Sequence, residues 1–202
     1  MKFVDDFADA PTTPFDPLAK INNDLTIVDD WKITKNLSPV TGSPTAPTKK
    51  GNSQNITYDA NGNPATPEDW DFFYENEAGD ILAQKGYDIE QGLSAASVAN
   101  RTDAESPYFI PPPGKDSDFM LDSDNSLFFD AFSPRQGTVV RNVHDRAVQK
   151  LRAGQAKSFV INLGQWGGNL DDLLKQFRHW PEKGMRQVII IDANKNVLNI
   201  LQ

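Results

Sequence analysis

The sequence predicts an α/β domain preceded by an extended arm, and three stretches carry that prediction. Two apolar runs of strand length, Ser158–Leu163 (SFVINL) and Gln187–Asp192 (QVIIID), flank a helical segment. Strands that read as continuous apolar runs are those buried on both faces, as in parallel pairing. Upstream, Lys115–Pro134 (KDSDFMLDSDNSLFFDAFSP) reads as a hairpin: strands FML and SLFFDAF joined by a polar turn at Asp122–Asn125. Residues 1–66 differ, because Pro, Thr, Asn, Asp and Gly dominate and apolar side chains are too few to offset chain entropy. The expected division is an arm or linker over 1–66 and an α/β domain over 67–202.

Within the arm only Leu25–Val28 and Trp31 form apolar clusters. Asp59–Asn63 (DANGN) has some of the oxygens of a calcium loop but lacks the rest, so an Asn-Gly turn is expected. Thr66-Pro67-Glu68-Asp69 is a helix start: a Thr cap, Pro in the first turn, then acids that favour the positive end of the helix dipole. The helix is expected from Pro67 to Lys85, ending at Gly86. Its stripe is Phe73 or Tyr74, Ala78, Ile81 and Leu82. Glu75 shares that stripe, three residues before Ala78, and Glu77 lies at its edge. Gly86–Gln91 reads as a short strand. Residues 92–114 are expected to be irregular, since Pro111-Pro112-Pro113-Gly114 excludes regular structure. After the hairpin, Thr138–Ala153 is a second helix with Val140, Val143, Ala147 and Leu151 inward. Leu170–Phe177 is a third, with Leu173, Leu174 and Phe177 inward, after a Trp166-Gly167-Gly168 loop. Asn194–Asn196 turns into a last strand, Val197–Leu201.

The composition excludes several chemistries. The chain has 202 residues and no cysteine, so disulfides, zinc–thiolate sites and thiol catalysis are ruled out. It has no Gly-rich phosphate loop and no GxSxG elbow. No apolar run reaches membrane-spanning length, and the start lacks the apolar core of a secretory signal, so no membrane partner is expected. The net charge of −8 is unevenly spread. Residues 1–133 hold 9 Lys/Arg against 23 Asp/Glu, and residues 134–202 hold 11 against 5. An acidic portion able to supply metal ligands is thus followed by a basic one suited to an anionic polymer. Arg135, Arg141 and Arg146 are the candidate nucleic-acid contacts. Of the two histidines, both expected at the surface, His144 lies on the basic helix within reach of phosphate. Stacking of a base on Trp166 has no support beyond the residue type.

Asp130 is the anomaly of the hairpin. It sits inside a strand just after Phe128-Phe129, where Asp is disfavoured. A lone buried carboxylate is costly, so Asp130 calls for a partner, and a metal ion shared with Asp118 would be one. The acid set Glu75, Asp118 and Asp130, followed by a Lys on a basic helix, suits metal-assisted phosphodiester hydrolysis.

Over residues 74–201 the chain resembles the C-terminal tRNA nuclease domain of contact-dependent growth inhibition (CdiA-type) toxins, a branch of the PD-(D/E)xK nucleases. The resemblance rests on YENEAGDILAQKGYDIEQ, KDSDFML, FFDAFSP, VRNV, KLRAGQA, INL, Trp180-Pro181 and VIIID, in that order. It implies a PD-(D/E)xK nuclease-like mixed sheet flanked by helices. It also implies roles: Glu75 as the helix carboxylate with Glu77 as the alternative, Asp118 as the PD aspartate, Asp130 as the second metal-binding carboxylate and Lys150 as the catalytic Lys. Three departures stand out. Ser117 replaces the Pro before Asp118, Phe132 occupies the usual Lys position, and the stretch between Glu75 and Asp118 is long and Pro-rich.

The expected activity is a metal-dependent ribonuclease toxin domain that cleaves tRNA. The expected cofactor is a divalent metal ion, Mg²⁺ first, with Zn²⁺ or Mn²⁺ as alternatives. The resemblance implies a cognate immunity protein, a larger effector that delivers the domain, and action in the target-cell cytoplasm. A host translation factor is a further candidate partner. The competing readings are a non-catalytic binding or structural module of a phage or secretion system that keeps the nuclease fold, and a DNase of the same superfamily.

Overall fold

The computed structural model describes residues 27–28, 31–35, 56–87, 89–91, 117–121 and 127–201. The Pro-rich stretch and the hairpin turn lie outside them. Among the described residues the strands are β1 (Ile27–Val28), β2 (Trp31–Lys35), β3 (Ile89–Gln91), β4 (Phe119–Leu121), β5 (Leu127–Phe132), β6 (Ser158–Asn162), β7 (Gln187–Ile191) and β8 (Val197–Leu201). The helices are α1 (Pro67–Gln84), α2 (Val140–Arg152) and α3 (Leu170–His179). The strands form one mixed sheet in the order β1-β2-β8-β7-β6-β5-β4-β3.

The apolar runs behave as expected. β5, β6 and β7 pair in parallel, β6 opposite both of its neighbours over its full length or nearly so. Alternation then sorts their side chains. Phe159, Ile161, Val188 and Ile190 go to one face with Val143, Ala147, Leu173 and Phe177 of α2 and α3. Val160, Ile189 and Ile191 go to the other, with Ala78 and Leu82 of α1, Ile89, Phe119 and Phe129. Each large apolar side chain so buried contributes roughly 1.5–3 kcal/mol.

Helix α1 is set by its ends. Thr66 Oγ1 accepts from Asp69 N–H at 3.1 Å, and Asp69 in turn accepts from Thr66 N–H at 3.1 Å, a capping box with Pro67 at the first turn. Asp69 also accepts from Thr57 N–H at 3.0 Å, which ties the preceding segment to the helix. That segment is the expected Asn-Gly turn: Asp59 accepts from Asn61 and Asn63 N–H, and Gly62 has φ +81°. Thr66→Ala is expected to lower the stability of the domain by about 1 kcal/mol, read as an earlier urea midpoint with unchanged slope. At the other end Gly86, with φ +91°, turns the chain out of the helix where a side chain would be strained. Gly79 lets α1 approach β3, since a Cβ there would lie 2.7 Å from Cδ of Gln91.

Two short stretches of the region expected as an arm join the sheet. β2 pairs antiparallel with β8, and β1 pairs with β2. The physical reason is the edge: without β2, β8 would present a row of unpaired backbone groups, and Trp31–Lys35 (WKITK) has a strand-like alternation to cover it.

Candidate active site

The site begins where the β4–β5 ladder ends. Phe119 pairs with Phe129, and the next residues out are Asp118 and Asp130. Phe129 turns toward α1, so by alternation Asp130 turns the other way, onto the α2 side, while Asp118 lies at the bend just before β4. Asp118 is half-buried and accepts from Ala131 N–H at 2.6 Å, bridging the mouth of the hairpin. Asp130 is 2% exposed. Both of its oxygens accept from Lys150 Nζ, at 2.7 and 2.8 Å.

The fit of α2 to β5 explains why Lys150 serves this strand. Residues four apart on a helix rise about 6 Å, close to the roughly 6.6 Å between every second residue of a strand. Lys150 thus meets Asp130 while Arg146, one turn earlier, lies 5.3 Å from the ring centre of Phe132, a cation–π contact. Phe132, at the position where the resembled family usually has its Lys, is the ring beneath Arg146. The ammonium group comes from α2 instead.

Glu75, on α1, is the third acid whose charge acts on this pair. Burial, and next the charge of Asp130, push its carboxyl up to about 7, while Lys150 opposes the rise. Asp118 is raised well above the usual carboxylate range, first by burial, then by Glu75 and by a hydrogen bond and charge from Asp130; the Ala131 N–H acts the other way. Three acids distant in sequence therefore sense one another beside one ammonium group. Burial and crowding favour the protonated carboxyl at Glu75 and Asp118.

The chemistry of this donor set suits a hard cation, which takes carboxylate oxygens and would relieve the repulsion that raises Glu75 and Asp118. It is not a preassembled ligand cage: among the described residues no three His, Cys, Asp or Glu side chains stand ready to hold a metal ion. Asp130 gives both oxygens to Lys150, and Asp118 gives one to the β5 backbone.

Glu77 points elsewhere. It accepts from Asn162 Nδ2 at 3.2 Å and pairs with Lys195 Nζ at 3.1 Å. With Tyr74, whose carbonyl also accepts from Asn162, it forms a separate polar knot at the end of β6. Asn162, not among the expected site residues, has a signal of its own: a polar side chain closing the run SFVIN at the C-terminal end of a parallel strand marks such a position.

The basic residues do not form one patch. Arg146 flanks the acid cluster. Arg135 reaches back to α1, with Asp71 at 3.4 Å. Arg141 is exposed and pairs along its own helix with Asp145 at 3.5 Å. His144 corrects the expectation of a surface histidine touching phosphate. It is 5% exposed, its ring centre lies 5.0 Å from that of Phe177, and Nε2 donates to the Trp180 carbonyl at 2.8 Å. The face of α2 is broader than the stripe drawn from the sequence, and it includes His144 and Val148 beside Val143 and Ala147. Trp166 is likewise core, 2% exposed with Nε1 donating to the Thr138 carbonyl, so it offers no stacking platform. His179 is at the surface, as expected.

Comparison with known proteins converges on the same segment. Residues 115–197 match the family model of the contact-dependent growth inhibition CdiA C-terminal domain. The chain is 29% identical over 123 residues to the tRNA nuclease CdiA-2 of Burkholderia pseudomallei (strain 1026b), a stretch of 61% of this chain and 3% of that protein. The chain thus spans a small share of the relative's length. Its structure is similar to the toxin in a CdiA-CT/CdiI toxin and immunity complex from Burkholderia pseudomallei, with TM-score 0.54 and 26% identity, covering 68% of this chain and 89% of that one. The family match spans the segment that carries Asp118, Asp130 and Lys150, and the relative and the solved structure point the same way: the chain is similar to CdiA C-terminal toxin domains.

Proposed function

We propose that this domain is a metal-dependent ribonuclease of the PD-(D/E)xK type that cleaves tRNA. It would be delivered by a larger effector, act in the target-cell cytoplasm and be neutralised by a cognate immunity protein. The observation that carries the reading is the Asp130–Lys150 pair beside Asp118 at the open end of one hairpin, with the raised carboxyl of Glu75 as support. The relative named as a tRNA nuclease supports RNA over DNA, and the related toxin–immunity complex supports the immunity partner. A structural module that merely kept the fold would have no need of a buried acid cluster, whose repulsion costs stability.

Glu75, Asp118 and Asp130 are the residues that would hold a divalent cation, which supplies Lewis acidity at the scissile phosphoryl group. Lys150 fixes the orientation of Asp130 and brings a positive charge to where negative charge develops in the transition state. Arg146, exposed beside them, supplies a second cation for a neighbouring phosphate.

The test is direct. Purified domain is incubated with deacylated tRNA and Mg²⁺, with and without chelator, and the RNA is resolved on a denaturing gel. Discrete fragments are expected, with chelator stopping their formation. Asp118→Asn should lose activity by about 10²-fold or more while keeping its circular dichroism spectrum. Undiminished cutting by that variant removes the site assignment, and cutting in chelator removes the metal.

A further inference from the structure

A groove runs between α2 and the end of α3, on the side of α2 away from the acid cluster. Val148 and Arg152, two residues either side of Lys150, both line it, so it occupies the opposite helix face. Its walls are of mixed chemistry. Arg141 and Arg152 offer guanidinium donors, while Asp145 and Glu182 offer carboxylate acceptors. Arg152 reaches Glu182 at 3.0 Å across the groove, and Arg141 reaches Asp145 at 3.5 Å. Over this lies Trp180, a large aromatic left 59% exposed. Beneath it His144 pins one wall: Nε2–H donates to the Trp180 backbone carbonyl at 2.8 Å, while Nδ1 lies 3.5 Å from an Asp145 oxygen with no hydrogen bond.

A phosphate alone would not be met by two carboxylates, and a metal ion or ammonium group would not be met by two guanidinium groups. A flat heteroaromatic ring whose edge carries both donors and acceptors suits all of them, and an exposed indole is a surface on which such a ring stacks. We propose that this groove holds an unpaired nucleobase of the RNA substrate, stacked on Trp180, at a point of the RNA remote from the bond that is cut. His144 is a positioning residue, holding the Trp180 backbone in place from below. The inference rests on the ribonuclease reading, since it takes RNA as the substrate.

Binding is read apart from cutting, by filter binding of deacylated tRNA in chelator and by quenching of tryptophan fluorescence with AMP and CMP. The Trp180 side chain is exposed and His144 holds only its backbone, so Trp180→Ala should fold. It is expected to weaken tRNA binding about tenfold, and to raise KM correspondingly with kcat unchanged, while Trp180→Phe keeps most of the affinity. The nucleotide-induced quenching should vanish in Trp180→Phe. If the wild type cuts tRNA and Trp180→Ala binds it equally well, the groove inference falls and the ribonuclease reading stands. If the wild type binds tRNA through Trp180 without cutting, the groove stands and catalysis falls. If Trp180→Ala loses affinity only for a co-purified immunity protein, the groove is a protein-docking face and the inference is overturned.

Discussion

Lys150→Ala is expected to reduce tRNA cleavage by about 10²–10³-fold, the usual loss when one charge-stabilising donor leaves an active site. It should also destabilise the domain by roughly 2–4 kcal/mol, because breaking a buried pair from one side strands the other charge. Asp130 is that charge: 2% exposed, with both oxygens directed at the Lys150 ammonium group. The two losses have different origins and can be separated. Replacing both partners with apolar residues, Asp130→Leu with Lys150→Met, removes the stranded charge and should recover most of the stability, while cleavage stays lost. Lys150→Arg keeps a cation on Asp130 and should recover stability, but with a wider, planar head group and a slower cut. Urea unfolding and single-turnover cleavage of the four proteins decide the matter. A Lys150→Ala protein that cuts at the wild-type rate would reduce Lys150 to a strut.

The division between what the sequence made legible and what it did not follows the range of the interactions. α1 could be read to within a residue because its signals are local: Thr66 and Asp69 at the start, Gly86 at the end. β6 and β7 were legible because an apolar run flanked by turn residues has few alternatives as a strand. The anomaly of Asp130 was legible as a polar residue among phenylalanines, but its solution was not. Its direct contact with Lys150 depends on how α2 lies across β5, which no local pattern shows, and only the family resemblance points to that Lys. His144 was misread because a stripe drawn from four residues understates the width of a helix face that packs against both a sheet and a second helix. β1 and β2 were missed because their composition is that of a linker, and only the open edge of β8 gives the run WKITK a place. The Trp180 groove has no local signature, since it exists only between two helices.

Without divalent cation, the domain should lose stability as pH rises from 5 to 8, and Glu75 should account for a measurable share. Its carboxyl, ordinarily at 4.5, is pushed up to about 7, and Asp118 is raised as well. The folded protein therefore holds protons that the unfolded chain has already released. For a raised carboxyl the stabilising contribution is complete below the unfolded value and disappears as pH climbs through the folded one. For Glu75 the amount is on the order of 3 kcal/mol, a shift of about 2.5 pH units at 1.36 kcal/mol each. Glu75→Gln, uncharged throughout, should show a shallower fall and a higher melting temperature than the wild type at pH 8, with little difference at pH 5. A divalent cation competes with those same protons. Adding Mg²⁺ should raise the wild-type melting temperature most at pH 8 and least at pH 5, and should do less for Glu75→Gln. The experiment is thermal unfolding of both proteins across that range, with chelator and with Mg²⁺. Parallel wild-type and Glu75→Gln curves would mean that Glu75 stands apart from the other acids. A Mg²⁺ effect that is the same at both pH values would mean that the cation binds somewhere other than on these carboxyls.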